Sequence, residues 1–384
     1  MSDTGSRDLK INVAERAEEH RDELLRLSHA LHADPEIRWK EHRSAEILTS
    51  ALEGLGFTVK RGVGGLETAF VATTGSGPRG IAFIAEYDAL EGIGHACGHN
   101  IISASAVGAG AALAPLADEL GATVQVIGTP AEEGGGGKIH LIDAGVFDDV
   151  EIAMMIHPGP ANSAYARPFA VAHFDVSYEG FATHAAAYPF LGRNAADAFT
   201  IAQVAIGLLR QQLPSSVRVH GIVREAGTAP NAIPASALGS WYVRASSLEE
   251  LETTFQKVHR CFEAGGLATS CELTITETSP RYSEFRNDEP LVRAFAANAA
   301  ARGIDMDLAE ECPGGMNTAS TDMGNVSQRV RAIHPYLSID SLPAVNHQAA
   351  FADASVRPRA DHAVVDGAVL LAQTALDALV GDGG

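Results

Sequence analysis

The sequence predicts an α/β protein with a second, smaller domain inserted into the first. Short apolar runs rich in β-forming residues alternate with helical patterns between residues 44 and 156, which is typical of helices packed on a sheet. Between residues 167 and 280 the order becomes strand, helix, strand, strand, helix, strand, the βαββαβ order of a ferredoxin-like unit. We therefore predict a larger domain made of residues 1–166 and 281–384, with residues 167–280 as the insert.

Hydrophobic periodicity and glycine breaks place the individual elements. In the first segment we predict helices over 13–33, 44–55, 101–117 and 138–144, and strands over 68–73, 80–85, 123–128 and 151–156. In the insert we predict strands over 169–178, 217–224, 237–244 and 271–278, and helices over 194–213 and 248–264. Helices over 290–302 and 362–379 then flank a strand over 332–339.

Charge and composition exclude several classes of partner. The 384 residues include 28 basic and 48 acidic side chains, a net charge of −20, which would repel a phosphate backbone or an anionic lipid surface. Charged residues make up 20% of the chain, and no apolar run approaches the roughly 20 residues of a membrane span. We therefore expect neither nucleic acid nor membrane as a partner.

The four cysteines indicate a reducing compartment. Cys97, Cys261, Cys271 and Cys312 form neither a CxxC pair nor a spacing typical of a disulfide framework. The first 20 residues are polar and carry acids throughout, unlike a secretory signal or a transit peptide. We expect a cytoplasmic protein.

The first group of chemically competent residues follows the strand predicted at 80–85. Cys97 and His99 lie within the stretch GHACGHN, and thiolate and imidazole are preferred ligands of zinc-like ions. Strand ends are also where α/β folds display functional groups. A buried cysteine beside histidines at a helix start would give the same short pattern.

The second group is the pair Glu132 and Glu133, directly after the strand predicted at 123–128. Adjacent carboxylates repel, so a cation or a transferable proton would relieve the pair. One glutamate would then bind metal while its neighbour takes a proton from water. A solvated acidic turn is the alternative. A phosphate-binding loop does not fit, because Glu132 stands where that motif needs glycine and Ile139 where it needs serine or threonine.

Two further histidines complete the candidate set. His157 follows the strand predicted at 151–156, and His347 lies late in the chain. A lone histidine is more often an ordinary polar residue than a ligand. Three groups that follow successive strands should nevertheless meet at one edge of the sheet, and such a cluster matches a two-metal hydrolytic site.

With these candidate residues and the stretches around them, the chain resembles the dinuclear metallopeptidase and aminoacylase family that includes carboxypeptidase G-type enzymes. It is most similar to the branch with p-aminobenzoyl-glutamate hydrolase subunits and β-alanyl dipeptidase-like proteins. The resemblance is carried by LHADPE (31–36), AEYDAL (85–90), GIGHACGHN (92–100), GTPAEEGGGGK (128–138), FATHAA (181–186), GTAPNAIPASA (227–237) and ASTDMGNVS (319–327). It implies a zinc-peptidase-like α/β/α sandwich whose ferredoxin-like insert is a lid and dimerisation domain.

The resemblance also implies roles for individual residues. Two divalent metal ions, zinc or manganese, would be bound by five side chains, with Cys97 bridging the ions and Glu132 acting as general base and acid. The implied ligands are Cys97, His99, Glu133, His157 and His347. Where many relatives have a His-x-Asp pair this chain has Glu86-Tyr87-Asp88. Asp88 would then orient a ligand, and no ligand role follows for Glu86.

The insert and a late loop supply the remaining candidates. The resemblance implies that His184 stabilises the oxyanion and that Asn231, Arg244 and Asp322 contact substrate. Each has a plain structural alternative: a packing histidine at a strand end, a turn asparagine, a salt-bridged arginine and an aspartate that caps a helix.

Taken together, the resemblance implies hydrolysis of the amide bond of an N-acyl amino acid or a dipeptide by a homodimer. The metal ions would activate a water molecule, and Glu132 would carry its proton to the leaving amine. Two alternatives stay open at this point. One is a catalytically silent, metal-binding accessory subunit, and the other is an amidase in which Cys97 is the nucleophile.

Overall fold

The computed structural model describes residues 3–309, 316 and 318–381, and it divides the chain into two compact units. The larger unit comprises Met1–Pro168 and Phe285–Gly384, and the smaller one comprises Phe169–Glu284. The insert predicted from sequence spans 167–280. Cys312 lies outside the described residues.

The elements follow in chain order. The first segment of the larger unit contains helices α1 (Asp3–Glu19), α2 (Arg21–Ala33), α3 (His42–Gly54), α4 (His99–Leu113) and α5 (Gly137–Asp143), and strands β1 (Thr58–Arg61), β2 (Phe70–Gly75), β3 (Arg79–Glu86), β4 (Ala122–Thr129), β5 (Ile152–Met154) and β6 (His157–Gly159). The insert contains β7 (Ala170–Glu179), α6 (Ala195–Leu209), β8 (Arg218–Glu225), β9 (Ser236–Ala245), α7 (Leu248–Thr269) and β10 (Glu272–Glu277). The second segment contains α8 (Glu289–Ala301), α9 (Met323–Ser327), β11 (Arg331–Ile333), β12 (Tyr336–Ser338), α10 (Ala349–Ala354) and α11 (Pro358–Gly381).

A six-stranded mixed sheet organises the larger unit, with strand order β1-β2-β4-β3-β5-β11. Strands β4, β3, β5 and β11 run parallel, and β3 alternates its side chains between two apolar cores. Phe83 packs into the core shared with α1, α2, α4 and α11, whereas Ile84 packs into the core shared with α5 and α9. Helices therefore cover both faces, as the predicted α/β/α sandwich requires.

The insert is a four-stranded antiparallel sheet in the order β10-β7-β9-β8, with α6 and α7 packed on it. Its core is aromatic: Phe199 stacks on Trp241 with ring centroids 5.2 Å apart, and Phe262 meets Trp241 edge-on at 5.0 Å. Asn194 and Ser247 cap α6 and α7 through side-chain oxygens that accept backbone N–H groups. The predicted βαββαβ order is confirmed.

Two element predictions were wrong in detail. The helix predicted over 13–33 is divided into α1 and α2, because His20 has a ψ of 0°, away from helical values. The strand predicted over 332–339 is divided into β11 and β12, which belong to different sheets. Pro335 lies between them and has no N–H for a ladder, while its carbonyl accepts from the His157 N–H at 2.8 Å. The short strands β1 and β6 were not predicted.

Helix α11 is long and apolar enough to cross a membrane by length and composition. However, 78% of its most apolar window is buried inside the protein, where it packs against α1, α4 and α8. Its apolar character is explained by this position in the core of the larger unit.

Candidate metal centre

The candidate residues of the larger unit meet at the edge of the sheet where parallel strands end. Strand β3 ends at Glu86, beside the end of β4 at Thr129. Asp88 follows β3, Glu132 and Glu133 follow β4, and His157 is the first residue of β6, shortly after β5. Because β3, β4 and β5 run in the same direction, side chains distant in sequence converge at one place.

Cys97 and His99 are the neighbours of Gly98 in a tight turn. Gly98 has a φ of 78°, in the left-handed region, and precedes the first residue of α4. A Cβ atom there would lie 2.4 Å from Pro158 Cγ, so the position requires glycine for both backbone conformation and space. The glycine of this motif therefore sets the relative positions of its two potential ligands.

Five side chains then form what we call the ligand cluster: Cys97, His99, Glu133, His157 and His347. Cys97 Sγ lies 3.5 Å from His157 Nε2 and 3.6 Å from His347 Nε2. Glu133 Oε1 is 3.5 Å from His347 Nε2 and 4.0 Å from His99 Nε2. Within each of three overlapping triplets, Cys97–His99–His157, Cys97–Glu133–His347 and His99–Glu132–Glu133, the ligand atoms lie within 4.8 Å of one another.

The histidine hydrogen bonds leave one ring nitrogen facing the cluster. His99 Nδ1 donates to the Asp88 carbonyl at 2.8 Å and lies 3.1 Å from Asp88 Oδ1, and His157 Nδ1 donates to the Pro158 carbonyl at 2.8 Å. Among the described residues, His99 Nε2 has no hydrogen-bond partner although it is fully buried. A nitrogen lone pair directed at sulfur and carboxylate oxygens fits a divalent metal ion.

Without a bound cation, the electrostatics of the site are unfavourable for its carboxylates. Burial and the neighbouring Cys97 raise the pKa of Glu133 to about 7, and burial with Glu86 and Glu133 raises the pKa of Glu132 well above its usual range. Burial opposes ionisation of Cys97 too, but His157, His347 and His99 together bring its pKa well below that of a free thiol. A cation would favour the ionised form of all three groups.

Asp322, for which the resemblance implied a substrate contact, is buried against Lys138. The Asp322 side chain has no exposed area, and its Oδ1 lies 2.6 Å from Lys138 Nζ. Glu86 Oε1 is also 2.6 Å from Lys138 Nζ. Sequence reasoning missed Lys138 as a partner of either acid. The available signal was a lysine that ends a run of four glycines inside a chemically dense motif.

The remaining candidates belong to the insert. His184 and Asn231 are exposed, and their loops are joined by the Ala185 N–H, which donates to the Asn231 carbonyl at 2.9 Å. His184 Nδ1 accepts the N–H groups of the two alanines at 186 and 187. Arg244 lies apart from them on β9, half-buried, with its guanidinium 6.0 Å from the centre of the Tyr242 ring.

The chain is similar to several proteins of known sequence or structure. A model of peptidase family M20/M25/M40 matches residues 78–376. The chain is 39% identical over 386 residues to the Xaa-Arg dipeptidase of Mus musculus, covering 97% of this chain and 89% of the relative. It is 36% identical over 256 residues to one of the two p-aminobenzoyl-glutamate hydrolase subunits of Escherichia coli, covering 61% and 53% of the two chains. A crystallised dinuclear metal-binding peptidase from Bacillus subtilis superposes with a TM-score of 0.69 at 21% identity, covering 94% of this chain and 99% of that one.

A buried carboxyl group, Glu41, holds the turn that carries the two glutamates. Its Oε1 accepts the backbone N–H groups of Trp39 and Ala131, both at 2.9 Å, and its Oε2 accepts from Thr68 Oγ1 at 3.0 Å. Ala131 has a φ of 58°, a left-handed conformation that is unfavourable for a residue with a Cβ atom. Burial and the nearby Asp88 raise the pKa of Glu41 to about 7.

We expect Glu41→Gln to preserve the turn and to increase stability above neutral pH. Glutamine keeps the accepting oxygen and donates its amide to Thr68. Because the pKa of Glu41 is raised in the folded state, its stabilising influence is complete below the unfolded pKa and is lost as the pH rises through about 7. The variant should therefore gain roughly 1–3 kcal/mol relative to wild type between pH 5 and pH 8.

Chemical denaturation at a series of pH values measures this difference. Glu41→Ala is the matched control, since it leaves the buried Ala131 N–H without an acceptor and should be about 1–3 kcal/mol less stable than Glu41→Gln at every pH. Equal pH profiles for wild type and Glu41→Gln would contradict the raised pKa.

Proposed function

Because the chain belongs to peptidase family M20/M25/M40, we propose that it cleaves its substrates with two divalent metal ions held by the ligand cluster. The chain is a metal-dependent amidohydrolase. The observation that carries the two-ion proposal is the convergence of sulfur, imidazole and carboxylate ligands into overlapping triplets at one strand edge. A single ion would leave part of this ligand set unused.

The sharing of ligands supports a bridging role for Cys97. Cys97 belongs to a triplet with His99 and His157 and to another with Glu133 and His347. A thiolate has enough lone pairs to bind two cations, and Cys97 Sγ lies 3.5 and 3.6 Å from the His157 and His347 Nε2 atoms, so it could serve both groups of ligands. Cys97 with His99 and His157 would hold one ion and Cys97 with Glu133 and His347 the other, with zinc or manganese as the proposed metal.

In the proposed reaction, bound divalent ions would polarise the substrate carbonyl and make water a better nucleophile. Glu132 accepts a proton from the attacking water and delivers it to the leaving amine. Its carboxylate shares a triplet with His99 and Glu133, so it adjoins the ligand cluster. We further propose that His184 of the insert stabilises the oxyanion and that Asn231 and Arg244 contact the substrate, while Asp88 holds His99 in the required tautomer.

We expect Glu132→Gln to abolish turnover while metal binding is retained. Glutamine keeps the shape of the side chain but cannot carry the proton, so kcat should fall by about 10²–10⁴-fold. The neighbouring Glu133→Gln is the matched control: it removes a ligand, so its metal content should drop. Steady-state kinetics and elemental analysis of both purified variants measure the two effects. Unaltered turnover in Glu132→Gln would remove Glu132 from the mechanism.

The substrates named for the relatives indicate the substrate class of this chain. We propose a dipeptide or an N-acyl amino acid, and Xaa-Arg dipeptides lead the candidates because the 39%-identical dipeptidase covers nearly the whole chain. p-Aminobenzoyl-glutamate comes second, since the hydrolase named for it matches a smaller part of the chain.

We expect amine release from Xaa-Arg dipeptides that is abolished by chelation and restored by zinc or manganese. Release of primary amine is followed from separate pools of Xaa-Arg dipeptides, other dipeptides and N-acyl amino acids, each with a chelated control. Chelator-resistant release would contradict the metal mechanism and favour Cys97 as nucleophile. Metal binding without release from any pool would favour an accessory subunit.

We also propose that the chain forms a homodimer through its insert. Strand β8 is an edge of the four-stranded sheet and exposes Ile222, which is 63% exposed, and α6 exposes Val204 and Leu208. An unpaired strand edge and exposed apolar side chains on the same unit are features that association with a second copy would cover.

We expect Ile222→Lys to convert the dimer to monomer. Lysine on an edge strand opposes pairing between strands through charge and desolvation. Sedimentation velocity over a range of concentrations measures the change, with Ile11→Lys as the control, since Ile11 is an exposed apolar residue of the larger unit. A wild-type chain that sediments as a monomer would refute the proposal.

We propose a cytoplasmic location from the state of the cysteines. Cys97, Cys261 and Cys271 are all free thiols, and Cys97 must remain reduced to bind metal. A reducing compartment would maintain that state. Detection of the native protein in an extracytoplasmic fraction of its source cells would contradict this location.

A further inference from the structure

Lys138 is a buried cation that the proposed reaction does not use. Its side chain has no exposed area, and its Nζ lies 2.6 Å from Glu86 Oε1 and 2.6 Å from Asp322 Oδ1. The two acids come from distant parts of the chain, at the end of β3 and just before α9. An ammonium group without water contact is stable only where fixed anions surround it.

The position of this ammonium group coincides with a potential metal site. The carboxylate oxygens of Glu86, Glu132 and Asp322 lie within 4.8 Å of one another, a spacing at which three acids can hold a divalent ion. Two of these three acids are paired with Lys138. The chain therefore supplies its own cation at a place where carboxylates alone would attract one from solution.

Counting charges shows why the site needs this cation. Six groups are anionic when the ligands are bound and Glu132 is ready to accept a proton: Glu86, Asp88, Cys97, Glu132, Glu133 and Asp322. Two divalent ions compensate four of these charges, and Lys138 compensates a fifth. Without Lys138, the surplus of negative charge would lie on Glu86, Glu132 and Asp322, beside the two ions.

We propose that the Lys138 ammonium group is a built-in third cation of the active site, which keeps a third divalent ion from binding to Glu86, Glu132 and Asp322. This inference rests on the proposed two-ion function. It also accounts for Glu86, which is directed into an ion pair with Lys138. Glu132 is thereby reserved for proton transfer, because the adjacent cation position is filled by a group that cannot leave.

The backbone hydrogen bond of Lys138 allows the ammonium group to be removed without loss of the local structure. The Lys138 N–H donates to Asp322 Oδ2 at 2.9 Å, and this bond does not depend on the side chain. Lys138→Met therefore removes the ammonium group while it retains the length of the side chain and the start of α5. The matched control is the triple variant Lys138→Met/Glu86→Gln/Asp322→Asn, in which two of the three carboxylates are also neutralised.

The experiment measures manganese per chain after loading and removal of free ion, by elemental analysis and by titration followed by electron paramagnetic resonance. We expect Lys138→Met to bind about one more ion per chain than wild type, and the triple variant to match wild type. The melting temperature of Lys138→Met should also rise more steeply with manganese concentration than that of wild type.

The outcomes separate this inference from the function on which it rests. Wild type that binds fewer than two ions would contradict the two-ion function. A folded Lys138→Met with the metal content and manganese response of wild type would overturn the role of Lys138. If Lys138→Met does not fold alone, its rescue by manganese or by the added Glu86→Gln and Asp322→Asn changes would support the proposal. Failure of both rescues would overturn it.

Discussion

The structure of the larger unit depends on one electrostatic constraint, the burial of many carboxylates at a single edge of the sheet. Glu41, Glu86, Asp88 and Asp322 each have essentially no exposed area. A buried carboxylate without compensation costs several kcal/mol, so each of these must be neutral or paired. Glu86 and Asp322 share Lys138, Asp88 accepts from His99 and from the Glu133 N–H, and Glu41 is held by backbone and hydroxyl donors. Of the two adjacent glutamates, Glu133 lies beside His347 and would bind an added cation, and Glu132 would carry the proton.

The same edge concentrates unfavourable backbone conformations. Ala131 and His347 have positive φ angles of 58° and 67°, each costing about 1–2 kcal/mol in a residue other than glycine. Ala131 directly precedes Glu132, and His347 is itself a member of the ligand cluster. Hydrogen bonds hold both in place, since Glu41 accepts the Ala131 N–H and the Ala96 carbonyl accepts the His347 N–H at 2.8 Å. The surrounding structure stabilises these strained conformations, and they in turn fix the direction of the side chains.

These features explain which parts of the molecule were predictable from sequence. Strand periodicity placed β3, β4 and β5, and the rule that parallel strands end together brought His99, Glu133 and His157 to one edge. Pro335 was a signal in the sequence for the division between β11 and β12, because proline cannot donate to a strand ladder, but the bond from the His157 N–H to the Pro335 carbonyl exists only in the folded chain. The pairing of Lys138 with Asp322 was equally hidden, since their separation of 184 residues leaves no local pattern.

The geometry also explains why two adjacent glutamates can act differently. The Glu133 N–H donates to the Asp88 carboxylate, and Arg38 donates to the Glu133 carbonyl, so two hydrogen bonds fix the backbone of Glu133. The Glu133 carboxylate faces His347. Such a residue is suited to act as a metal ligand, which must keep its position and charge.

Glu132 adjoins the carboxylates of Glu86 and Asp322, which raise its affinity for a proton, while added cations would lower that affinity. Opposing influences of this kind bring a carboxyl group toward the working pH, where a proton carrier is most effective. The turn held by Glu41 therefore gives the two glutamates the different surroundings that the proposed metal-binding and proton-transfer roles require.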